Sequence, residues 1–316
     1  MKHIFVINPA AGKGQGLRMR ENIESIAGKL GIEPIFYNTR GIGDAKEFVK
    51  EFCDKNSEDE LLRFYSCGGD GTLNEVVNGT FGIKNAEIAA FPAGTGNDFV
   101  RNFDGKDFAD IESQMLGESI PIDLIYYEYE LCEKNNGVFD TSGYGINMFN
   151  IGFDADVVDI TQKYKKIPFL EGHLAYLAGV FKTFIFMKGI DVTVKCDGEI
   201  AYDGELLLTA LANGAYCGGG VKGVPTARVD DGLMDVSMIK RISRLNFAKL
   251  FPEYKDGSHL NNPKAMNVIK IKQGKSVSIE SRKEPFTISV DGEIVYSKKL
   301  ELKVVPMAAN FVIPNI

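Results

Sequence analysis

No stretch of this 316-residue chain approaches the roughly 18 uncharged apolar residues that a membrane-spanning helix requires. Residues 176–186 come nearest, and Lys182 interrupts them. No secretory leader is expected either: MKHIFVINP offers only a short apolar run before Asn8 and Pro9, so export by that route is not expected. Cysteine is sparse. Cys53, Cys67, Cys132, Cys196 and Cys217 are widely spaced, odd in number and form no C-x-x-C pair, which points away from a disulfide framework or zinc site and fits a reducing cytoplasm. His3, His173 and His259 show no metal-ligand spacing. An excess of positive charge is also lacking. A net charge of -7 argues against a nucleic-acid partner and weakens long-range attraction to an anionic membrane. Two local basic clusters remain as candidates for membrane contact: Lys163, Lys165 and Lys166, and Lys240, Arg241 and Arg244. Solvated surface charge is the plainer reading of either.

What is present is a globular composition, 44% apolar and 25% charged, in a chain long enough for two ordinary domains. The first third alternates short apolar runs with helix-period segments. Strands are expected at 3–7, 35–37, 61–66 and 88–91, and helices at 16–30 and 45–55, where Phe48 and Phe52 recur at helical spacing. This is the pattern of a parallel α/β layer with flanking helices. From about Asp123 the pattern changes to short β runs between Gly, Asn and Asp turns, at 190–196, 206–211, 234–239, 277–280 and 286–290. An antiparallel β domain of sandwich type follows. One long helix is expected at 173–188, with Leu174, Leu177, Ala178, Phe181, Phe184 and Ile185 on one stripe. Packing in a core is the plainer reading of that stripe, and contact with lipid is the alternative.

Parallel α/β sheets place ligands at the carboxyl ends of their strands, and here those ends carry glycine. After the first strand come Asn8, Pro9, Ala10, Ala11, Gly12, Lys13, Gly14, Gln15 and Gly16, then a helix whose first amides can face an anion. The spacing fits neither Walker A nor the dinucleotide fingerprint. A plain strand-to-helix turn accounts for this loop equally well. After the third strand stand Gly68, Gly69, Asp70, Gly71, Thr72, Leu73, Asn74 and Glu75. Glycines around one Asp let backbone approach a ligand, and Asp70 offers Mg²⁺ a carboxylate. After the fourth strand, Pro92, Ala93, Gly94, Thr95, Gly96, Asn97 and Asp98 repeat the design. Tight turns explain one such loop, but they do not call for the repeated Asp and Thr.

With NPAAG at 8–12, GGDGTLNEVVNG at 68–79 and FPAGTGNDFVR at 91–101, the chain resembles the diacylglycerol kinase catalytic-domain superfamily, in its bacterial soluble lipid kinase branch. GGDGT is shared with NAD kinases and, more distantly, phosphofructokinases; PAGTGNDFVR is more specific to the lipid branch. The resemblance continues through Ile122-Asp123-Leu124, 147–152 followed by Asp154, Asn213 with 217–220, PTARVDDGLMDV at 225–236 and DGE at 291–293. It covers nearly the whole chain. It implies an ATP-binding α/β domain of residues 1–123 joined by a returning last strand at 306–316, and a β-rich lipid-substrate domain of residues 124–305.

The resemblance further implies that Asn8, Pro9, Ala10, Ala11, Gly12, Thr39, Gly68, Gly69, Asp70, Gly71, Thr72, Leu73, Asn74 and Thr95 bind ATP. Asp70 would hold the catalytic Mg²⁺, with Asp98 and Asp123 around or supporting the metal. Asp231 with the backbone oxygens of Arg228 and Leu233 would form a structural Mg²⁺ site, and Glu293 would be the general base. Asp291 and Glu293, two residues apart, are expected to face the same way and Asp291 to be catalytic with Glu293 and Asp70, although Asp291-Gly292 reads equally well as a hairpin turn. Asp230-Asp231-Gly232 reads first as a turn as well. Two features depart from the family pattern: Ala11 stands where many relatives carry Ser or Thr, and an acidic stretch at 126–134 looks like an insertion. The implied activity is phosphoryl transfer from ATP to a lipid hydroxyl, diacylglycerol by default, at the inner membrane face by transient peripheral contact. An NAD kinase, or a nucleotide- or lipid-binding protein without turnover, is the alternative, and a symmetric dimer is the generic expectation.

Overall fold

The computed structural model describes residues 1–13, 15–56, 59–135, 140–165 and 173–315. Gly14, Lys166 and Ile316 lie outside the described residues, as do the side chains at 13, 15–18, 165 and 173–177, Leu174 and Leu177 of the helical stripe among them.

The first half alternates strand and helix: β1 (Lys2–Ile7), α1 (Gln15–Leu30), β2 (Pro34–Asn38), α2 (Asp44–Asp54), β3 (Leu62–Gly68), α3 (Asp70–Thr80) and β4 (Ala86–Pro92). β1 lies between β2 and β3, and β4 continues beyond β3, all parallel. Successive side chains go to opposite faces. Ile4, Val6, Phe64 and Ile88 pack with α2 and α3, while Phe5, Ile7, Tyr65 and Phe91 pack with α1. Burial on both faces is why these strands read as nearly continuous apolar runs. Each such fully buried side chain contributes about 1.5–3 kcal/mol.

The second half contains α4 (Ile111–Met115), β5 (Glu118–Tyr129), β6 (Ser142–Gly145), β7 (Met148–Gly152), α5 (Phe153–Lys165), α6 (His173–Ile185), β8 (Ile190–Cys196), β9 (Glu199–Ala212), β10 (Met234–Lys240), α7 (Arg244–Asp256), α8 (Pro263–Met266), β11 (Ile269–Gly274), β12 (Ser276–Ser281), β13 (Phe286–Val290), β14 (Glu293–Ser297) and β15 (Lys299–Ile313). Its ladders are antiparallel: β9 pairs with β7, β8 and β10, β12 with β8 and β15, and β13 with β7 and β14. Phe149, Leu211, Val236, Ile279, Ile288 and Leu302 fill the core between these layers. The parallel α/β layer followed by a β sandwich is the fold class the sequence predicts.

β5 and β15 run antiparallel through both halves, from Leu300 opposite Tyr129 to Ile313 opposite Glu118. Their register shifts between Val305 and Ala309, where Met307 takes a positive φ of 49°. Beyond that bulge Phe311 sits beside Ile88 of β4, in parallel. Asp123 fixes the corner. Its Oδ1 accepts from Met307 N at 2.8 Å and its Oδ2 from Gly232 N at 2.6 Å.

Two expectations for the second half are corrected. The chain there has α5 and α7 in addition to the single helix expected. α7 starts at a Ser243 cap, whose Oγ accepts from Asn246 N, and it buries Tyr254 beside Phe247, Leu250 and Phe251. Pro252 lies inside it and removes one backbone donor without ending the helix, so a breaker signal there misleads. The α6 stripe is also rotated from a plain core face. Gly179, Thr183 and Met187 point inward, a Cβ on Gly179 would fall 2.4 Å from Thr161 Oγ1, and Phe181 and Ile185 are exposed. The small Gly179 brings α6 against α5, leaving Phe181 and Ile185 outside while Phe184 turns toward the interior.

Candidate active site

The three glycine loops meet at the carboxyl ends of β1, β3 and β4. Asn8 Nδ2 donates to Thr72 Oγ1 at 3.1 Å, and Asn8 Oδ1 accepts from Ala10 N at 3.0 Å, so one side chain ties the first loop to the second. Thr39 N donates to the Ile7 carbonyl, which brings the end of β2 alongside. The second and third loops touch backbone to backbone. A Cβ on Gly94 would lie 2.5 Å from Gly69 Cα, and one on Gly68 would lie 2.4 Å from Thr72 Oγ1. No side chain fits at either place. α3 begins directly after Gly69, so its first amides open toward the same space. Leu73 is buried in the core; only its backbone could face a ligand.

Asp70 and Asp98 stand together on these loops. Asp70 Oδ1 accepts from the amides of Asp98 and Phe99, at 2.8 and 3.3 Å. Asp98 is held by a wrap of glycines: Gly219 N and Gly220 N donate to its carboxylate at 2.8–3.1 Å. Gly218, Gly219 and Gly220 have φ of 59°, 83° and 106°, a run of positive values that only glycine adopts readily. Burial, with Asp98 close by, pushes the Asp70 carboxyl up to about 6. Burial raises Asp98 as well, against the lowering effect of its two amide donors. Gly96 leaves room between the two acids, since a Cβ there would fall 2.8 Å from Asp70 Oδ2 and 3.2 Å from Asp98 Oδ2.

Asp291 closes the site from the other half of the chain. It accepts four hydrogen bonds, from Asn74 Nδ2 and from the amides of Ile146, Asn147 and Met148, at 2.8–3.2 Å. Asp291 and Gly292 both have positive φ, 45° and 96°, between β13 and β14, as a two-residue hairpin turn requires. The hairpin-turn reading of Asp291-Gly292 therefore holds: Asp291 is drawn into its four donors, and Glu293 opens β14 directly after the turn. Desolvation, then the carboxylates of Glu75 and Asp291, raise the Glu293 carboxyl.

From this acidic end a cavity of about 850 Å³ runs into the second half. Asp70, Thr95, Gly96, Asp98 and Asp291 border its polar mouth, and Phe153, Val157, Val180, Phe184, Phe247 and Phe251 line its far part. Among its described lining residues there is no Lys, Arg or His. Helices α5, α6 and α7 supply the apolar wall.

Residues 2–127 match the family model for the diacylglycerol kinase catalytic domain, and residues 147–313 match that for the YegS C-terminal NAD kinase beta sandwich-like domain. A protein of Staphylococcus carnosus named diacylglycerol kinase is 30% identical over 292 residues, 92% of this chain and 87% of its own length. The chain belongs to the diacylglycerol kinase superfamily of lipid kinases. A protein of Shewanella frigidimarina named "Probable lipid kinase YegS-like" is also 30% identical, over 81% of this chain and 78% of its own. The crystal structure of a diacylglycerol kinase from Bacillus anthracis shares the fold, with a TM-score of 0.69 at 20% identity over 99% of this chain and 96% of its own. Yeast NADH kinase shares it more distantly, with a TM-score of 0.51 at 12% identity over 100% of this chain and 84% of its own.

In this lipid kinase the residues expected around metal fall into two places. Asp70 and Asp98 border the cavity; Asp123 and Asp231 do not, and meet instead at the β5–β15 bulge. Each oxygen of Asp123 accepts one backbone amide, so Asp123 ties Gly232 to the bulge at Met307. Asp231 Oδ1 accepts from Leu233 N at 3.0 Å. Burial, and the charges of Asp235 and Asp123, raise its carboxyl. An all-oxygen, net-negative setting of this kind suits a hard divalent cation, and so does the gap at Gly96 between Asp70 and Asp98. Among the described residues no group of three or more His, Cys, Asp or Glu side chains gathers as a metal cage, so carbonyls or water would complete either site. Asn74 is committed to Asp291 and the Tyr144 carbonyl, not to the glycine loops. The sequence reading missed Phe247, Phe251 and Tyr254 because α7 was not expected. The Ser243 cap with apolar residues at helical spacing was the available signal.

Proposed function

We propose that this lipid kinase transfers the γ-phosphate of ATP to a lipid hydroxyl, with diacylglycerol the default acceptor and phosphatidic acid the product. The observation that carries this reading is the one continuous cavity with an acidic, glycine-lined mouth and an apolar far end. A phosphate donor suits the mouth, where loop amides and the α3 N-terminus gather. An acyl chain suits the far end, where Phe184, Phe247 and Phe251 offer apolar surface.

In this reading Gly68, Gly69, Gly71 and Thr95 position the phosphates through backbone and hydroxyl. Mg²⁺, held at Asp70, would neutralise phosphate charge, the main electrostatic need of phosphoryl transfer. Glu293 takes the proton of the attacking hydroxyl, and the rise in its carboxyl makes it a stronger base for that role. Asp291 positions the turn that carries Glu293.

No helix among the described residues is long and apolar enough to cross a membrane, and we propose that the enzyme meets the inner membrane face peripherally. Phe181, Ile185 and Phe186 around the end of α6, and Leu245 at the start of α7, are exposed apolar side chains beside the cavity wall. The basic clusters suit this less. Lys163 pairs with Asp159 at 2.6 Å, Arg241 pairs with Glu205 at 2.9 Å, and Arg244 donates to the carbonyls of Phe184 and Ile185.

Radiolabelled ATP with Mg²⁺, a panel of lipids in mixed micelles and NAD as control tests the reading, with products resolved by chromatography. Label in phosphatidic acid, or in another lipid, is the expected result. Label in NADP moves the chain to NAD kinase chemistry, and no label in any product leaves a binding protein.

A further inference from the structure

Part of the cavity wall is polar in a way that phosphate chemistry at the mouth does not use. Asp154 Oδ2, Asn150 Oδ1, Thr161 Oγ1 and Tyr254 Oη are all buried and lack a hydrogen-bond partner. Their residues line the same cavity, and they come from three different elements, β7, α5 and α7. Asn150, Thr161 and Tyr254 are 8%, 7% and 6% exposed. Leaving one such group unpaired costs about 1–3 kcal/mol. Thr161 Oγ1 packs against Gly179 of α6, which leaves Asp154 Oδ2, Asn150 Oδ1 and Tyr254 Oη for the cavity. The cluster adjoins the mouth: Asp98 and Asp154 line the same cavity as Cys217, whose thiol is also within hydrogen-bonding reach of the Asn150 side chain and leaves Asn150 Oδ1 unpaired.

The chemistry of the unpaired atoms selects their ligand. A carboxylate oxygen and an amide oxygen accept hydrogen bonds, and the hydroxyl of Tyr254 can do so. An ester carbonyl could satisfy only that hydroxyl and would leave Asp154 and Asn150 unpaired. A phosphate would meet Asp154 in a wall without Lys, Arg or His among its described residues. Burial alone pushes the Asp154 carboxyl up to about 6, with no cation to offset it. A donor on the ligand relieves all of this.

We propose that Asp154, Asn150 and Tyr254 form a subsite that binds a hydrogen-bond donor of the acceptor lipid, a second hydroxyl or an amine, distinct from the hydroxyl that receives phosphate. The inference rests on the lipid-kinase reading above but replaces its default acceptor, diacylglycerol, with lipids that carry a free donor near the head besides the hydroxyl that is phosphorylated.

The test compares three acceptors in mixed micelles with full-length enzyme: 1,2-dioleoylglycerol, which has no second donor, 1-monooleoylglycerol, which has a second hydroxyl, and sphinganine, which has an amine and a second hydroxyl. The wild type should favour at least one donor-bearing lipid in kcat/KM by about tenfold, the worth of one hydrogen bond to a charged group. Asp154→Leu should lower that ratio by about tenfold, chiefly through KM. Tyr254→Phe, which removes a single oxygen, should lower it in the same direction and keeps the test open if Asp154→Leu does not fold. Preference for monooleoylglycerol identifies the hydroxyl as the donor, and preference for sphinganine alone identifies the amine. A ratio that favours dioleoylglycerol, or that neither variant moves, overturns the subsite and leaves the three oxygens to water. If the wild type phosphorylates no lipid, the function proposed above fails separately. Micellar binding of the three lipids then decides the subsite, which stands on tighter binding of a donor-bearing lipid that Asp154→Leu or Tyr254→Phe abolishes and falls on equal binding.

Discussion

The side-chain amide of Asn74 donates to Asp291 Oδ2 at 2.8 Å across 217 positions of sequence. Asn74 lies on α3, which begins at the glycine loop of β3, and Asp291 lies in the β13–β14 turn beside Glu293. One hydrogen bond thus sets the distance between the phosphate end of the site and the turn that carries the candidate base.

Asn74→Ala should therefore destabilise the protein by about 1.5–3 kcal/mol, the range for a buried hydrogen bond to a charged group. Urea unfolding measures this. A midpoint equal to that of the wild type would mean that the three backbone donors to Asp291 suffice.

Gly96→Ala places a Cβ 2.8 Å from Asp70 Oδ2. We expect the fold to survive, by circular dichroism, and turnover to fall by about 100-fold, because small displacements of reacting groups are costly. Normal rates would show that Asp70 can move without penalty.

Glu293→Gln should keep nucleotide binding and lose about 100-fold to 10,000-fold in turnover, as removal of a general base does. Single-turnover kinetics separate the two effects. An unaltered chemical step would remove Glu293 from the mechanism.

The Asp154 carboxyl lies near 3.8 when unfolded and about 6 when folded. Its contribution to stability is thus fully present below about 3.8 and lost as pH rises through about 6. Asp154→Asn has no such loss, so its Tm should gain on that of the wild type as pH rises from 5 to 8 in ligand-free protein. A Tm difference independent of pH would mean that Asp154 is not desolvated in solution.

The parallel half was legible because its signals are local. A strand buried on both faces is an apolar run, and β1, β3 and β4 read as such; a glycine loop at a strand end is contiguous in sequence, as at 68–71 and 94–96. The later helices were harder to see. α7 carries Pro252, which argues for a break, and α6 buries Gly179 and Thr183 while exposing Phe181, an inversion that hydrophobic periodicity cannot anticipate. Asp291 was legible as a hairpin turn, where two positive φ angles follow each other, but its four donors come from segments remote in sequence.

By itself the sequence determined the order of elements in the first half, the glycine loops and the identity of the acids, because each depends on residues within a few positions of one another. Only the tertiary structure decided which acids meet. Asp98 is wrapped by Gly219 and Gly220, Asp291 is fixed by Asn74, Asp123 is diverted to the β5–β15 bulge, and Asp154 is left without a partner in the cavity wall. Each of these outcomes depends on hydrogen bonds, or on their absence, between segments remote in the chain, and local pattern carries no information about such distances.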